Sequence, residues 1–322
     1  MKKRIGIGVD LGGTFIKYAL GDENGSILKK GKKPTDAKAK NEVILDRMSE
    51  AVNEMKIAAQ ANGYQPVVVG VGTPGCVDVE KGVLRGGTPN FRHWIRVPVA
   101  EELKKRTGLP VFVDNDANVM ALAEAQFGAG RGHNNVICLT IGTGIGGGII
   151  INKKLYRGSN FAGAEPGHMS IKHDGRNCRC GGKGCLELYA SATAMINHFK
   201  KISKKAGQTV DKNINVKQIF ELFAAGNKLA EETIELSSYY LGRGIANLMN
   251  IFNPTRIIIG GGVAGAGEVY LKRVQQAAFA YAMAEACKGT RIVSARLGNN
   301  AGYLGSIRFA FSQLDEQVSL AG

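Results

Sequence analysis

The amino-acid sequence predicts an α/β protein with two lobes, each made of a β-sheet covered by helices. Strand-like apolar runs alternate with helical periodicity along the chain. The pattern also begins twice, because Asp10-Leu-Gly-Gly-Thr14 and Gly142-Thr-Gly-Ile-Gly146 each place a Gly/Thr turn between two apolar strands, which indicates an internal duplication. The 322 residues suffice for about two domains. We therefore expect the functional site in the cleft between the lobes.

The first half of the chain opens with three strands in series, joined by glycine-containing turns. The predicted strands are 5–9, 15–20, 27–33, 67–71 and 111–113, and the predicted helices are 41–62, 97–106 and 117–127. The run 67–71 contains only valine and glycine, which is typical of a strand at the centre of a sheet.

The second half repeats the opening and then becomes richer in helices. The predicted strands are 136–141, 146–151, 256–259 and 290–296, and the predicted helices are about 188–205, 215–225, 228–252, 267–284 and 302–313. We expect the tail after Leu314 to be frayed.

The formal charge of +15 makes nucleic acid the first partner to consider. The basic residues are spread along the chain, however, and the one dense run, Lys29-Lys30-Gly-Lys32-Lys33, has no interleaved aromatic residues. We place this run at a junction between a strand and a loop. We interpret it as a solvated face, with a polyanion site as the alternative, and expect no nucleic-acid partner.

Cysteine usage and the N-terminus indicate a cytoplasmic protein. Three of the six cysteines, Cys76, Cys138 and Cys287, are scattered, which is not the pattern of a disulfide framework. The apolar stretch after the basic N-terminus is too short for a signal peptide, and no apolar run has the length of a membrane span. We therefore expect neither secretion nor a membrane partner.

The densest chemical signal is a cysteine cluster in the middle of the chain. Cys178, Cys180 and Cys185 lie within eight residues, among glycines and just after His168 and His173. Zinc takes four thiolate and imidazole ligands in tetrahedral geometry, so three cysteines and one histidine would complete a site. Local spacing does not choose between the two histidines.

Three glycine-rich loops follow predicted strands and have the composition of phosphate-binding loops. The first, at Asp10–Thr14, includes Gly12 and Gly13. The second spans 142–148 and has five glycines and a threonine in seven positions, more than a hairpin needs. The third includes Gly260, Gly261 and Gly262, before a predicted helix whose N-terminus suits an anion. Three such loops on two lobes indicate a nucleotide held in the cleft.

A phosphoryl acceptor needs a carboxylate that takes the proton of its hydroxyl group. The best candidates are Asp114 and Asp116, in the segment Asp114-Asn115-Asp116-Ala-Asn118 where a buried strand becomes a helix. The two carboxylates share a face if the strand persists. The alternative is that one aspartate only caps the helix.

These motifs together resemble the ROK family of sugar kinases, whose members have an actin-like, hexokinase-like (ribonuclease H-like) fold. The first two glycine loops look like the family's phosphate motifs, and Asn115-Asp116-Ala-Asn118 looks like its catalytic segment. Gly167-His168, followed by Cys178-x-Cys180-Gly-x-x-Gly-Cys185-x-Glu187, matches the family signature at every defined position. Gly260-Gly-Gly262 resembles the adenosine motif. The resemblance covers nearly the whole chain.

The resemblance implies a role for each of these positions. Asp116 is the general base, and the hexose is bound by Asn90, Asn115, Asp116, Glu165, His168 and Glu187. Structural zinc is held by His168, Cys178, Cys180 and Cys185. ATP is the phosphoryl donor, and Asp10 helps to place its Mg²⁺. The nucleotide lies against Asp10, Gly12, Gly13, Thr14, Gly142, Thr143, Gly144, Gly261 and Gly262.

The expected reaction is the conversion of D-glucose to glucose 6-phosphate. N-acetylmannosamine, fructose and allose stay open as substrates, and so does polyphosphate as the donor because of the net charge. A sugar-responsive ROK regulator is disfavoured. Such regulators resemble this chain but carry an N-terminal DNA-binding domain before the first glycine loop, and the nine residues before Asp10 are too few to form one. We expect a small lobe at 1–118, onto which a C-terminal helix at about 303–322 packs, and a large lobe at 119–302. The family suggests a homodimer or homotetramer.

Overall fold

A computed structural model describes residues 3–86, 90–263 and 267–321, which form two five-stranded sheets of matching topology. The first sheet has the order β3-β2-β1-β4-β7 and the second the order β10-β9-β8-β11-β12. In each, three antiparallel strands are followed by two strands parallel to the first. The repeated topology confirms the predicted duplication and the α/β fold class.

The first sheet contains the amino-terminal glycine loop and the candidate catalytic segment. Its strands are β1 (Ile5–Leu11), β2 (Phe15–Asp22), β3 (Ile27–Pro34), β4 (Pro66–Thr73) and β7 (Val111–Asn115). Three helices accompany it, α1 (Asn41–Ala61), α2 (Val99–Thr107) and α3 (Asp116–Phe127). A small hairpin that was not predicted follows β4 and consists of β5 (Cys76–Asp78) and β6 (Val83–Gly86).

The second sheet carries the other two glycine loops. Its strands are β8 (Val136–Ile141), β9 (Ile145–Ile151), β10 (Lys154–Tyr156), β11 (Arg256–Gly260) and β12 (Arg291–Ser294). The helices of this half are α4 (Glu187–Ala190), α5 (Ala192–Lys205), α6 (Val216–Ala224), α7 (Lys228–Phe252), α8 (Gly267–Tyr281), α9 (Ala284–Cys287) and α10 (Ala301–Ala321).

Each sheet has its own hydrophobic core. In the first core, Ile7 and Val9 of β1 pack with Met48 and Val52 of α1. In the second, the apolar faces of α7 and α8 cover β8 and β11. Helix α10 returns to the first sheet, where it packs against β1 and β4 and contributes Phe309 to the first core.

Helix α3 lies between the two sheets. It contacts β4 and β7 of the first sheet and β8 and β9 of the second, so its N-terminus is held by both halves of the molecule. The carboxyl ends of β7 and β8 lead directly into the candidate catalytic segment and the second glycine loop. Ligands of α/β proteins bind at the carboxyl ends of parallel strands, which is where these segments lie.

Several predictions of local structure were wrong. Helix α10 continues to Ala321, so the tail does not fray at Leu314. The helix predicted over 188–205 is divided at Ser191, whose hydroxyl accepts the Ala194 N–H and caps α5. The lysine run lies within β3 rather than at a junction. Since β3 is an edge strand, its exposed lysines oppose pairing with another strand edge.

Among the described residues, no helix is sufficiently long and apolar to cross a membrane.

Candidate active site

The candidate catalytic segment lies where β7 becomes α3, and Asn115 caps the helix. Asn115 Oδ1 accepts the backbone N–H groups of Ala117 at 2.9 Å and Asn118 at 3.2 Å. Its Nδ2 donates to the Gly75 carbonyl at 3.1 Å, which fixes the amide orientation. The strand ends at Asn115, so Asp114 and Asp116 do not share one strand face. The capping alternative was also wrong, because the cap is the asparagine.

Asp114 is buried and fully engaged. Its Oδ2 accepts Arg157 Nε at 2.9 Å and Nη2 at 2.7 Å. Its Oδ1 accepts the Asn115 N–H at 2.7 Å and Asn118 Nδ2 at 3.0 Å. These bonds occupy both oxygens of the Asp114 carboxylate. Asp116 is therefore the aspartate of this segment with the freedom to accept a proton from a ligand.

Asp116 belongs to a group of carboxylates that interact electrostatically. Burial raises the pKa of Asp116 above its ordinary value, although the N–H of Ala117 favours the ionised form. Burial also raises the pKa of Asp10 to about 6, with a further contribution from the charge of Asp116 and an opposing one from Lys17. The pKa of Glu165 is raised, mainly by burial. His168 opposes this shift, and the charges of Asp116 and Glu187 add to it.

These interactions bring together residues that are far apart in the chain. Asp10 is supplied by β1, Asp116 by α3, Glu165 by the segment after β10, and Glu187 by α4. Asp10 also lies against α10, because a Cβ atom at Gly302 would be 2.3 Å from Asp10 Oδ2. Lys17, opposite Asp10 on β2, and Gly302 had no signal in the sequence, since both depend on packing between distant elements.

A cleft of about 890 Å³ adjoins this carboxylate group. One wall contains Asn90, Phe91 and Trp94, and the other contains Thr143, Gly144, His168 and Glu187. Trp94, the single tryptophan of the chain, is held by a hydrogen bond from Nε1 to Thr73 Oγ1 at 2.8 Å. Asp10, Asn115, Asp116 and Glu165 do not line this cleft themselves, but Glu165 interacts electrostatically with Glu187, which does.

The glycine loops of the second half pack against each other. Gly261 has φ +85°, and a Cβ atom there would be 2.4 Å from the Ile141 carbonyl, so only glycine fits beside the second loop. Within that loop the Gly142 N–H donates to Gly144 O at 2.9 Å. Thr143 is exposed at the tip, and Gly262 is also exposed. Helix α8 begins at Gly267, as predicted, and residues 264–266 between it and the third glycine loop lie outside the described part of the chain.

The first glycine loop joins β1 to β2, with Gly13 and Thr14 exposed. Gly12 donates its N–H to Phe15 O at 3.1 Å and accepts the Thr35 hydroxyl at 2.6 Å. The Cβ of Asn90 is 4.0 Å from the position of a Cβ atom on Gly13, so this loop adjoins the cleft wall.

The three cysteines of the central cluster converge with His168, and not with His173. The four ligand atoms lie within 4.8 Å of one another, with Cys180 Sγ 3.6 Å from Cys185 Sγ and Cys178 Sγ 3.7 Å from His168 Nδ1. Tetrahedral zinc with ordinary bond lengths separates its ligand atoms by roughly 3.5–3.8 Å. Gly181 and Gly184, with φ +94° and +70°, turn the chain around this point. The residues therefore fit a zinc ion.

Glu187 connects the cysteine cluster to the cleft. Its Oε1 is 3.5 Å from Cys178 Sγ and 3.6 Å from His168 Nδ1. Its Oε2 is 2.6 Å from the position of a Cβ atom on Gly144, so the glutamate lies between the cluster and the second glycine loop. A change at the cluster would thus move a carboxylate of the cleft.

Comparisons with known proteins agree with these motifs. A model of the ROK family matches residues 6–312. The chain is 38% identical over 307 residues to a glucokinase of Thermotoga maritima, which covers 93% of this chain and 95% of that protein. A ROK glucokinase structure from Streptomyces griseus, in complex with glucose and AMPPNP, has TM-score 0.82 and 36% identity and covers 96% of this chain and 99% of the other.

The similarity extends to transcription factors of the same family. The structure of a ROK family transcriptional regulator, a homologue of the E. coli MLC protein, has TM-score 0.87 at 26% identity. It covers 99% of this chain and 81% of the regulator. Fold similarity therefore does not by itself separate a kinase from a regulator.

Proposed function

This chain belongs to the ROK family, and we propose that it is a kinase that transfers the γ-phosphoryl group of ATP to the 6-hydroxyl of D-glucose. The identity to the Thermotoga maritima glucokinase and the Streptomyces griseus complex with glucose and AMPPNP support the choice of both substrates.

The observation that carries the proposal is the position of Asp116. It begins α3 between the two sheets, it interacts with Asp10 and Glu165, and its pKa is raised by burial. A carboxylate with a raised pKa accepts a proton more readily than an ordinary aspartate, as a general base requires. Asp116 takes the proton of the sugar hydroxyl while that oxygen attacks the γ-phosphorus.

Polar groups that line the cleft or adjoin it bind the sugar. Asn90, Asn115, Glu165, His168 and Glu187 offer carboxylate, amide and imidazole groups, which pair with hydroxyls that both donate and accept. A missing or inverted hydroxyl would leave one of these groups without its partner, which is the physical basis for selection among hexoses.

The glycine loops bind the nucleotide on the other side of the acceptor. Backbone N–H groups of Gly13, Thr14, Thr143 and Gly144 are suited to phosphate oxygens. Gly12 and Gly142 shape the two loops, because their own N–H groups donate to Phe15 O and Gly144 O. Gly261 and Gly262 leave room for adenosine. Asp10 would hold the Mg²⁺ of the nucleotide, which neutralises phosphate charge when bound.

The cysteine cluster binds zinc in a structural role. His168, Cys178, Cys180 and Cys185 complete four ligands, so no coordination position is left for a reacting water. The ion fixes the loop that carries His168 and Glu187, and it takes no part in phosphoryl transfer.

The test is ADP release measured with glucose, mannose, fructose, allose and N-acetylmannosamine as acceptors. We expect the highest kcat/KM for glucose, and a higher value for another hexose would overturn the choice of substrate. Repeating the assay with polyphosphate in place of ATP tests the alternative donor. A sugar-binding regulator, the second candidate because of the high similarity to such a protein, would bind glucose without releasing ADP.

Asp116→Asn tests the assignment of the base. We expect kcat to fall by about 10²–10⁴-fold, because the general base is lost. Binding of glucose, followed by the fluorescence of Trp94, should persist. Asp315→Asn, a change on the exposed surface of α10, serves as the matched control. Retained turnover in Asp116→Asn would remove the assignment.

A further inference from the structure

The Asp114–Arg157 ion pair joins two segments that carry different parts of the candidate site. Asp114 is 1% exposed and Arg157 21% exposed, and the guanidinium makes two bonds to Asp114 Oδ2. Asp114 belongs to β7 of the first sheet. Arg157 directly follows β10 of the second.

On the Asp114 side, the pair fixes the junction between β7 and α3, where Asp116 lies. Asp114 Oδ1 accepts the Asn115 N–H and the Asn118 side chain, so it holds the end of the strand against the first turn of α3. Asn115 then caps the helix that Asp116 begins. A displacement of Asp114 would be transmitted to both residues.

On the Arg157 side, the pair fixes the segment that leads to Glu165. The Arg157 carbonyl accepts the Gly163 N–H at 2.8 Å, which closes the intervening residues into a loop. Ala164 follows in the left-handed region at φ 62°, and the Glu165 carbonyl then accepts the His168 N–H at 3.1 Å. The segment also touches the β5–β6 hairpin, where Arg85 Nη1 donates to Asn160 O at 3.4 Å.

We propose that Asp114 and Arg157 are positioning residues that hold the sugar-binding Glu165 in register with the base Asp116. This inference rests on the proposed function, and it assigns neither residue a contact with the substrate. Asp116 and Glu165 are 49 residues apart in the chain. They are nevertheless near neighbours in the fold, because the charge of Asp116 acts on Glu165. The ion pair provides the short connection.

The chemistry of the pair favours this role over a purely stabilising one. Burying two charges costs desolvation that their attraction often does not recover, so an apolar pair would serve stability equally well. A guanidinium, in contrast, is rigid and directional, and it fixes orientation as well as distance. The pair lies next to the junction that carries Asp116, where the position of the base relative to Glu165 must be fixed.

The experiment compares Arg157→Ala, Arg157→Lys and Asp114→Asn with Asp22→Asn. Asp22 is a matched control, because it is 1% exposed, accepts two backbone N–H groups and pairs with Lys3 at 2.8 Å. It lies opposite Ile5, about 17 Å along the strand from Asp10. The expected loss of stability in the control reports what breaking a buried ion pair costs away from the site.

We expect Arg157→Ala and Asp114→Asn to lower kcat/KM for glucose by about 30–100-fold, the effect of displacing reacting groups by roughly 1 Å. The KM for ATP should change by less than about threefold. Added ethylguanidinium should restore part of the activity of Arg157→Ala, and Arg157→Lys should be intermediate. Asp22→Asn should lose thermal stability and keep its kinetic constants. Equal kinetic losses in the control, or unchanged kcat/KM in the variants, would overturn the inference.

A readout that does not require turnover separates this inference from the proposed function. Arg157→Ala should speed hydrogen exchange of the backbone amides in 158–168 under native conditions, and Asp22→Asn should not. If the wild type phosphorylates no hexose, the proposed function fails, but faster exchange there would still support the positioning role. Unchanged exchange in 158–168 would overturn it whatever the activity. If Arg157→Ala does not fold, Arg157→Lys decides by the same two measurements.

Discussion

Replacing Asp10 by asparagine should make the unliganded protein more stable at neutral pH. The pKa of Asp10 is raised from 3.8 to about 6, first by burial and second by the charge of Asp116. The folded protein therefore binds more protons than the unfolded chain between these two pH values. The free energy of unfolding then decreases as pH rises from about 4 to about 6, and the penalty is complete above that range.

The magnitude follows from the pKa difference. About two pH units at roughly 1.4 kcal/mol each give about 3 kcal/mol as an upper limit. Because Asp10 is partly exposed, solvent screening reduces this to about 1–2 kcal/mol. Asparagine has nearly the same shape and no charge, so it should remove both the cost of burying the charge and the repulsion from Asp116.

The assay is chemical unfolding of Asp10→Asn and wild type between pH 4 and pH 8, without nucleotide or magnesium. We expect the two curves to meet near pH 4 and to separate by about 1–2 kcal/mol at pH 7. Glu80→Gln, a change at an exposed carboxylate, should follow the wild type at every pH. Catalytic activity of Asp10→Asn should fall although its stability rises, since Asp10 is proposed to place Mg²⁺. A variant that is no more stable than wild type at pH 7 would show that the charge of Asp10 does not destabilise the folded protein.

Three other changes probe the cleft and the cysteine cluster. Removal of zinc by a chelator should lower the melting temperature and the affinity for glucose together, because the ion would hold the loop that carries His168 and Glu187. Calorimetry measures the melting temperature, and Trp94 fluorescence measures glucose binding. If both stay unchanged after verified loss of the metal, the structural role of zinc is contradicted. Gly144→Ala should raise the KM for glucose by about tenfold, because the new Cβ would be 2.6 Å from Glu187 Oε2, and steady-state kinetics measure the effect. Gly184→Ala should destabilise the protein by about 2 kcal/mol or more, because a Cβ there would be 1.8 Å from Lys172 O at a φ of +70°, and denaturant unfolding provides the check. A melting curve like that of wild type would show that the loop can relax around the alanine.

Much of the fold could be read from the sequence because its signals are local. The strands of both sheets, except the three-residue β10, and the long helices follow from apolar periodicity, and the two Gly/Thr turns indicated the duplication. Predictions were wrong where a tertiary contact decides the structure. Ser191 divides a helical run by capping α5, and β5 and β6 are too short to leave a pattern.

Local spacing predicted the cysteine cluster as a group but did not choose its histidine, for which only the family resemblance implied His168. Both His168 and His173 lie within reach of the cysteines along the chain. The turn after Glu165 is what brings His168 Nδ1 to Cys178. Likewise, local sequence offered both Asp114 and Asp116 as a base. In the structure Arg157 donates to Asp114, which leaves Asp116 as the candidate base. The residues around Arg157 in the sequence do not predict that contact.

The sequence alone determined the α/β class, the duplicated sheets, the glycine loops and the set of residues from which the candidate site is built. Those features depend on periodicity and residue type, which act over a few neighbouring positions. The family resemblance implied Asp116 and His168, but the physical reasons come from tertiary packing. Arg157 engages Asp114, His168 lies beside the three cysteines, and the carboxylates of Asp10, Asp116 and Glu165 interact electrostatically. Burial and charge coupling between Asp10, Asp116 and Glu165 arise when separate strand ends meet, and that proximity has no counterpart in local sequence.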